Sequence, residues 1–592
     1  KIKRMKDFFK NVFATMLGMF LFGIVMSLFG ILCIIGIAVS SSTTNDIKDN
    51  SVLVIKLDGQ MTEQSEENVM NNINGISGLS FENTVKAIRE AKDNKNIKGI
   101  YIEAGQLGAD LAQAQEIQNT LLDFKKSGKW IVAYGEQFST LSYYISSAAD
   151  KVYMNKEGMV NWIGIGGEKV YYKNLLAKFG IKFVTTKVGK YKSAVETLTA
   201  DNMSDADREQ TERYINGWWS TILNTVSKNR NINKDSLNAY ADRAIMLEDA
   251  ENIVKYKMVD GLMYNDEVKS KIKKMLSIDQ DETVNQVSVD DMAGSDDTAT
   301  GKHIAVYYAY GDIVDEASPQ SVFSNGHQIV GKDMCKDLED LAKDDNVEAV
   351  VIRINSGGGS AYASEQIWHQ IAELKKVKPV VVSMSGAAAS GGYYISSDAN
   401  WIVADPSTIT GSIGIFGMFE DMSELYTKKL GINYAEVKTN RNSVFGASGH
   451  PFTPEQMGLL QNNVNHGYMI FKKRVAEGRH MTLDQVEKIA QGRVWLGEDA
   501  VKIKLVDELG GLDKAVAKAA KLAKDNDYKT CSYPAPKSIF EQILNTEQND
   551  YNNLDEHLQM LLGEYYEPFK IVSDFEKMDK VQARMPYIIK IK

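Results

Sequence analysis

Ser390 lies in the run Ala387-Ala388-Ala389-Ser390-Gly391-Gly392, where small neighbours leave a hydroxyl open to an approaching substrate. An apolar run, Val380-Val381-Val382-Ser383-Met384, precedes it and Tyr393-Tyr394-Ile395 follows, the order of a strand, a tight turn and a helix. A serine in that setting is a candidate nucleophile, with the helix N-terminus favouring an oxyanion. Close helix packing asks for the same small residues, so this motif alone leaves both readings open. A second glycine-rich loop, Asn355-Ser356-Gly357-Gly358-Gly359-Ser360, favours catalysis. It follows a strand ending at Ile354, one crossover upstream, and adjacent parallel strands bring both loops to one sheet edge. The backbone N–H groups of Gly359 and Gly391 are the expected oxyanion donors. A phosphate-binding loop is disfavoured because no Gly-Lys-Ser/Thr follows.

A serine hydroxyl needs a base. No histidine lies between His369 and His450, and the seven histidines of the chain have no triad or metal-ligand spacing. A neutral lysine amine is the alternative, since it can accept the hydroxyl proton and return it to the leaving group. Burial must then hold that lysine well below its ordinary value of ~10.4. Residue type alone does not choose among the 68 lysines and arginines.

The elements that would position these groups occur twice. Tyr143-Tyr144-Ile145-Ser146-Ser147 recurs as Tyr393-Tyr394-Ile395-Ser396-Ser397, a shift of 250 residues that also maps Ile117 onto Ile367 and Ile163-Gly164 onto Ile413-Gly414. In this frame Ser390-Gly391-Gly392 faces Thr140-Leu141-Ser142, and the loop from Asn355 to Ser360 faces Gly105-Gln106-Leu107-Gly108-Ala109-Asp110. Both candidate loops have degenerated in the first copy, which suggests that one repeat catalyses and the other supports it.

Each repeat alternates β-branched runs with helical stretches, so a largely parallel α/β sheet is expected. Ala349 to Ile354 reads as a strand, about Ala363 to Lys376 as a helix, and Val380 to Met384 as the next strand. Their first-repeat counterparts are Gly99 to Ile102, about Leu111 to Lys126, and Trp130 to Tyr134. Asp279 to Thr300, rich in Asp, Ser, Thr and Gly, reads as a linker or exposed loop.

Val12 through Val39 carries no charge, is longer than a bilayer core requires, and follows Lys1, Lys3, Arg4, Lys6 and Lys10. It is expected to be an uncleaved anchor, N-terminus in; a cleaved signal peptide is the alternative reading. Three cysteines exclude a disulfide framework and a cysteine-rich zinc site, and a net charge of −10 without a basic stripe excludes nucleic acid as partner. The expected boundaries are a cytoplasmic N-terminus over 1–11, an anchor over 12–39, repeats over 50–277 and 303–530 joined by a linker over 278–302, and a tail over 531–592 without an assigned role.

Val188-Gly189-Lys190-Tyr191-Lys192-Ser193-Ala194-Val195-Glu196, the loop from Asn355 to Ser360, Ser390-Gly391-Gly392, and Ile489-Ala490-Gln491-Gly492-Arg493-Val494-Trp495 occur in this order. Together they resemble the signal peptide peptidase A family in its long, two-repeat form, within the protease IV group of serine peptidases. The resemblance runs from the anchor to about residue 524. It implies a Ser–Lys dyad assembled across the duplication, with Ser390 as nucleophile, Lys192 as general base, and Ser412 as a hydroxyl that orients the lysine. It also implies tandem crotonase-like (ClpP-related) domains and a homotetrameric bowl on the outer face of a bacterial cytoplasmic membrane. Remnant signal peptides are the implied substrates, and neither cofactor nor metal is implied. One departure is visible: the family loop reads Asn-Ser-Pro-Gly-Gly, and Gly357 replaces the proline. The rival expectations are a crotonase-type acyl-CoA enzyme, which also uses paired oxyanion donors, and a non-catalytic membrane scaffold.

Overall fold

The computed structural model describes residues 47–65, 78–294, 301–317, 327–535 and 581–585, with a few isolated positions near the N-terminus. The expected anchor over 12–39 lies outside the described residues but for those positions. Among the described residues no helix is long and apolar enough to cross a membrane.

The duplication is visible in the positions where elements begin. Strands start at Ile97 and Val347 and at Trp130 and Val380, and helices start at Phe81 and Gly331 and at Leu111 and Ala361, each pair 250 residues apart. In the first repeat, Ser51–Thr62, Ile97–Gly108, Trp130–Phe138 and Lys151–Val160 lie side by side and parallel. In the second, His303–Tyr310, Val347–Ser356 and Val380–Ala389 do the same, with Val350 opposite Val380 and Ile352 opposite Val382. Helices cover these sheets, so the central strands are buried on both faces and read as continuous apolar runs rather than alternating ones. The expected α/β class with βαβ crossovers is observed, and each strand extends a few residues beyond its apolar run.

The repeats are not independent units. One hydrophobic core takes Leu53, Ile55, Ile100 and Ile131 from the first copy together with Ile304, Val306, Val351, Val381 and Leu512 from the second. The 279–300 region corrects the linker reading in part. Asn285–Val287 is a strand pairing with Ser51–Leu53, and Val289–Ala293 is a helix that buries Met292 and Ala293. A few apolar side chains at the right spacing suffice to dock a segment whose average composition is that of a loop.

A third sheet joins the copies. Lys182–Lys187 of the first repeat runs antiparallel to Phe416–Asp421 of the second, with Lys187 opposite Phe416 and Lys182 opposite Asp421. In the same sheet Gln328–Val330, Asp312–Val314 and Gly358–Ser360 lie in order, and Val581–Arg584 sits between Gly358–Ser360 and Phe416–Asp421.

Candidate active site

Ser390 occupies the turn between the strand Val380–Ala389 and the helix Gly391–Ser396. Its backbone has φ 54° and ψ −111°, a sparsely populated conformation for a residue with a Cβ, and is held by an N–H donated to Gly411 O at 2.8 Å. The strand–turn–helix expectation is therefore met. The helix spans only six residues, so its dipole adds little.

Lys192 arrives from the other repeat. After Lys187 the chain leaves the inter-repeat sheet with Val188 N–H donating to Ile415 O at 3.3 Å, and Tyr191 N–H then donates to Gln491 O at 3.0 Å. Gly189, at φ 92°, is needed here, because a Cβ would lie 2.4 Å from the Gln491 backbone. Gly492 is needed from the opposite side, where a Cβ would meet the Lys192 backbone at 2.7 Å. The lysine stem is thus gripped between Ile413–Gly414 and Gln491–Arg493. Behind it, Ser193 Oγ donates to buried Asp207 at 2.5 Å, and Gln210 Nε2 donates to Tyr191 O at 3.1 Å.

Lys192 Nζ lies 2.7 Å from Ser390 Oγ, 3.1 Å from Ser412 Oγ and 3.2 Å from Ser412 O. Lys192, Ser390 and Ser412 are all fully buried. Burial pushes the Lys192 amine well below its ordinary value of 10.5. Ser412 also has a left-handed backbone, φ 50°, with its N–H donated to Arg493 O at 2.7 Å. The structure therefore brings together all three side chains expected at the site. A Cβ on Gly358 would fall 2.7 Å from Gly391 N, so the glycine loop and the Ser390 turn lie in close approach.

The sequence profile of peptidase family S49 matches residues 123–279 and again residues 372–526, one stretch in each repeat. The chain belongs to peptidase family S49. Its relatives include Protease 4 of Salmonella typhi, 38% identical over 472 residues, covering 78% of this chain and 75% of that one. Protease 4 of Haemophilus influenzae is 37% identical over 74% of this chain and 72% of its own length. The chloroplastic serine protease SPPA of Arabidopsis thaliana is 29% identical over 88% of this chain and 76% of that one. This S49 protein is accordingly a serine protease of the signal peptide peptidase type. Among solved structures, a point mutant of ClpP1 from Listeria monocytogenes aligns with 36% of this chain and 94% of its own at 16% identity and a TM-score of 0.24, too low to define the fold by itself.

The first-repeat counterpart of the S49 site is closed. Leu107 and Leu141 stand where Gly357 and Gly391 stand in the second copy, and both are buried. Thr140, in place of Ser390, lies inside the helix Thr140–Ser146 and donates to Asn161 O at 2.9 Å. A β-branched residue would not accept the positive φ that Ser390 adopts.

Two features of the site escaped the sequence reading. One is a buried ionic cluster beneath the glycine loop. Arg353, fully buried, reaches Glu63 at 3.0 Å and Glu116 at 2.7 Å, both from the first repeat, and donates to Ser383 and Ser385. Asn355, at the head of the loop, donates to Glu63 at 2.9 Å and Asp110 at 2.8 Å, and accepts from Ala387 N. Burial and then the Glu116 carboxylate push the Asp405 carboxyl well above the ordinary range. The signal was present: Arg353 interrupts the apolar run Ala349 to Ile354, and an arginine inside a central strand must find anionic partners. The other feature is the strand Val581–Arg584, which has no repeat counterpart and no motif.

Proposed function

We propose that this serine protease is an endopeptidase using a cross-repeat Ser–Lys dyad, in which Ser390 attacks a peptide carbonyl and Lys192 is the base. The observation that carries this reading is the fully buried Lys192 amine 2.7 Å from Ser390 Oγ. A desolvated amine is held neutral, accepts the hydroxyl proton as Oγ bonds to the carbonyl carbon, and gives it to the departing amine. Water then hydrolyses the acyl-enzyme by the same proton relay. Ser412 orients the amine through its Oγ, and the N–H groups of Gly359 and Gly391 hold the oxyanion. Removal of the usual proline at Gly357 takes away no donor.

Extended apolar peptides, including signal-peptide remnants released from a membrane, are the substrates in this reading. In this reading they bind extended along the strand edges of Gly358–Ser360 and Phe416–Asp421, in the place that Val581–Arg584 occupies. The uncharged stretch 12–39 supports an anchor that keeps the catalytic repeats on the outer face of a bacterial cytoplasmic membrane, and resemblance supports four-fold assembly. Carbonate extraction and light scattering check those two points. Membership of a peptidase family counts against the acyl-CoA and scaffold alternatives.

Fluorophosphonate labelling with mass-spectrometric mapping tests the dyad. Modification at Ser390 that is lost in Lys192→Ala is the expected result. Labelling that persists in Lys192→Ala removes lysine as the base, and the absence of labelling in the folded wild-type protein removes the serine.

A further inference from the structure

The glycine loop leaves its strand where the ladder is irregular. Ile354 stands opposite Met384 and Ser356 opposite Ala388, an advance of two residues on one strand against four on the other. The added length lies on the nucleophile's side and brings its turn against the loop, where a Cβ on Gly392 would lie 2.8 Å from Ser356 O. An irregularity of this kind re-aims side chains beside a site but gives up ladder hydrogen bonds, so other groups must hold it. Here a side chain does so: Asn355 Oδ1 accepts the Ala387 N–H at 3.1 Å.

The Asn355 amide is fixed in turn by the first repeat. Its Nδ2 donates to Glu63 Oε1 at 2.9 Å and to Asp110 Oδ2 at 2.8 Å. Both N–H donors thus meet carboxylates while the amide oxygen takes a backbone N–H, and turning the amide over would set its oxygen against two acceptors. Glu63 Oε1 also accepts from Ser385 Oγ, two residues before Ala387, so one carboxylate oxygen holds the loop strand and the nucleophile strand together. Gln113 Nε2 donates to that oxygen at 3.0 Å, and Arg353 Nε donates to Glu63 Oε2 at 3.0 Å.

The second strand makes room for Asp110. A Cβ on Gly386 would lie 2.3 Å from Asp110 Cγ, so the aspartate occupies the space that a side chain at 386 would need. Asp110 ends the degenerate loop over 105–110, the counterpart of the working loop over 355–360. The last residue of the one therefore grips the first residue of the other. Asp110 has a local duty too, as N-cap of the helix Leu111–Phe124, with its N–H donated to Gln113 Oε1 at 3.0 Å.

We propose that Asp110 of the first repeat, acting with Glu63 through the Asn355 amide, is a positioning residue for the oxyanion donors of the glycine loop. The proposal rests on the Ser–Lys reading above. Oxyanion donors stabilise developing charge only when they already stand where it forms. Without the Asp110 contact the amide loses one of its two carboxylate partners, its hold on the Ala387 N–H slackens, and the loop is no longer fixed against the Ser390 turn. Peptide binding along the strand edges uses none of these side chains, so the loss falls on kcat and spares KM.

The test compares Asp110→Asn with Asp110→Ser in the full chain, beside Ser390→Ala. Asparagine and serine both cap a helix well, so the local duty is kept in each, but only asparagine carries an oxygen that reaches Asn355 Nδ2. The measurements are kcat and KM for reduced casein, Tm, and inhibition by the peptide aldehyde acetyl-Leu-Leu-norleucinal, whose hemiacetal oxygen takes the oxyanion's place. Asp110→Asn should stay within about threefold of the wild type. Asp110→Ser should lose about tenfold in kcat, part of the roughly hundredfold lost when an oxyanion donor is removed outright, and bind the aldehyde correspondingly less well at unchanged KM and Tm. Gly386→Ala, which displaces the Asp110 carboxylate from the other side, should reproduce that kcat loss. Equal kcat in Asp110→Asn and Asp110→Ser, a loss confined to KM, undiminished aldehyde binding in Asp110→Ser, or wild-type kcat in Gly386→Ala overturns the proposal, and an inactive Ser390→Ala then leaves the Ser–Lys reading standing. Wild-type hydrolysis by Ser390→Ala overturns both.

Discussion

Lys192 Nζ and Ser390 Oγ are hydrogen-bonded at 2.7 Å although 198 residues of chain and a repeat boundary separate them. The antiparallel pairing of Lys182–Lys187 with Phe416–Asp421 makes the meeting possible, since it carries the first repeat's chain to the second repeat's site. In the Ser–Lys reading proposed above, neither copy holds both members of the dyad, and the two act as one.

Removing either partner should abolish hydrolysis without unfolding the protein. Ser390→Ala and Lys192→Met are each expected to lower kcat by about 10³-fold or more, with non-additive effects in the double variant because the two groups act as a unit. Casein or peptide hydrolysis with a thermal melt measures both. Lys192→Arg should be equally inactive, since guanidinium does not deprotonate near neutral pH.

The depressed Lys192 amine fixes two pH effects of known sign. If Lys192 is the base, as proposed, activity needs the neutral amine, so kcat/KM should rise with pH through the folded-state value, well below 10.5. The unfolded chain binds a proton on this lysine up to about 10.5, whereas the folded chain releases it earlier. The unfolded state thus holds more protons in that interval, and stability from this group falls as pH drops from about 10.5 to the folded-state value. Lys192→Met should therefore gain more stability over the wild type at pH ~8 than at pH ~11. Urea titrations at the two pH values would contradict this if the gain were equal.

Ser412→Ala removes one of the two Ser412 contacts to the amine and keeps the carbonyl contact at 3.2 Å. Loss of one hydrogen bond of about 1–1.5 kcal/mol predicts roughly a tenfold drop in kcat, an unchanged KM and a shifted acidic limb of the pH profile. Serine's methyl-bearing homologue in Ser412→Thr keeps the hydroxyl but must adopt φ 50°, so it should rescue poorly. A KM effect without a kcat effect would remove Ser412 from the proton relay.

The buried cluster under the glycine loop gives a stability prediction. Arg353→Met leaves Glu63 and Glu116 without their counter-charge and is expected to cost about 3–5 kcal/mol. Asp405 carries its proton at higher pH when folded than when unfolded, so its contribution to stability falls as pH rises from 3.8 toward its raised folded-state value. Asp405→Asn should consequently stabilise the protein at neutral pH, most visibly as a raised Tm. A lowered Tm at neutral pH would mean that the ionised carboxylate is needed.

Local chemistry made the nucleophile, the glycine loop and the duplication legible in the sequence. A serine among small residues after a β-branched run demands a tight turn, and a repeated pattern with one degenerate copy marks where chemistry was kept. Resemblance supplied Lys192, which no periodicity or spacing distinguishes from Lys187 or Lys190. Only the tertiary structure decides that Lys192 is desolvated and that its amine faces Ser390 and Ser412, because burial depends on elements hundreds of residues apart. The same holds for Arg353, whose partners come from the other repeat, and for Val581–Arg584, which carries no motif and is defined by the strands it lies between. Sequence dictates the local turns and strands through backbone sterics and hydrophobic pattern. Which groups share a dry, hydrogen-bonded space is settled by long-range strand pairing, and that pairing has no local signature.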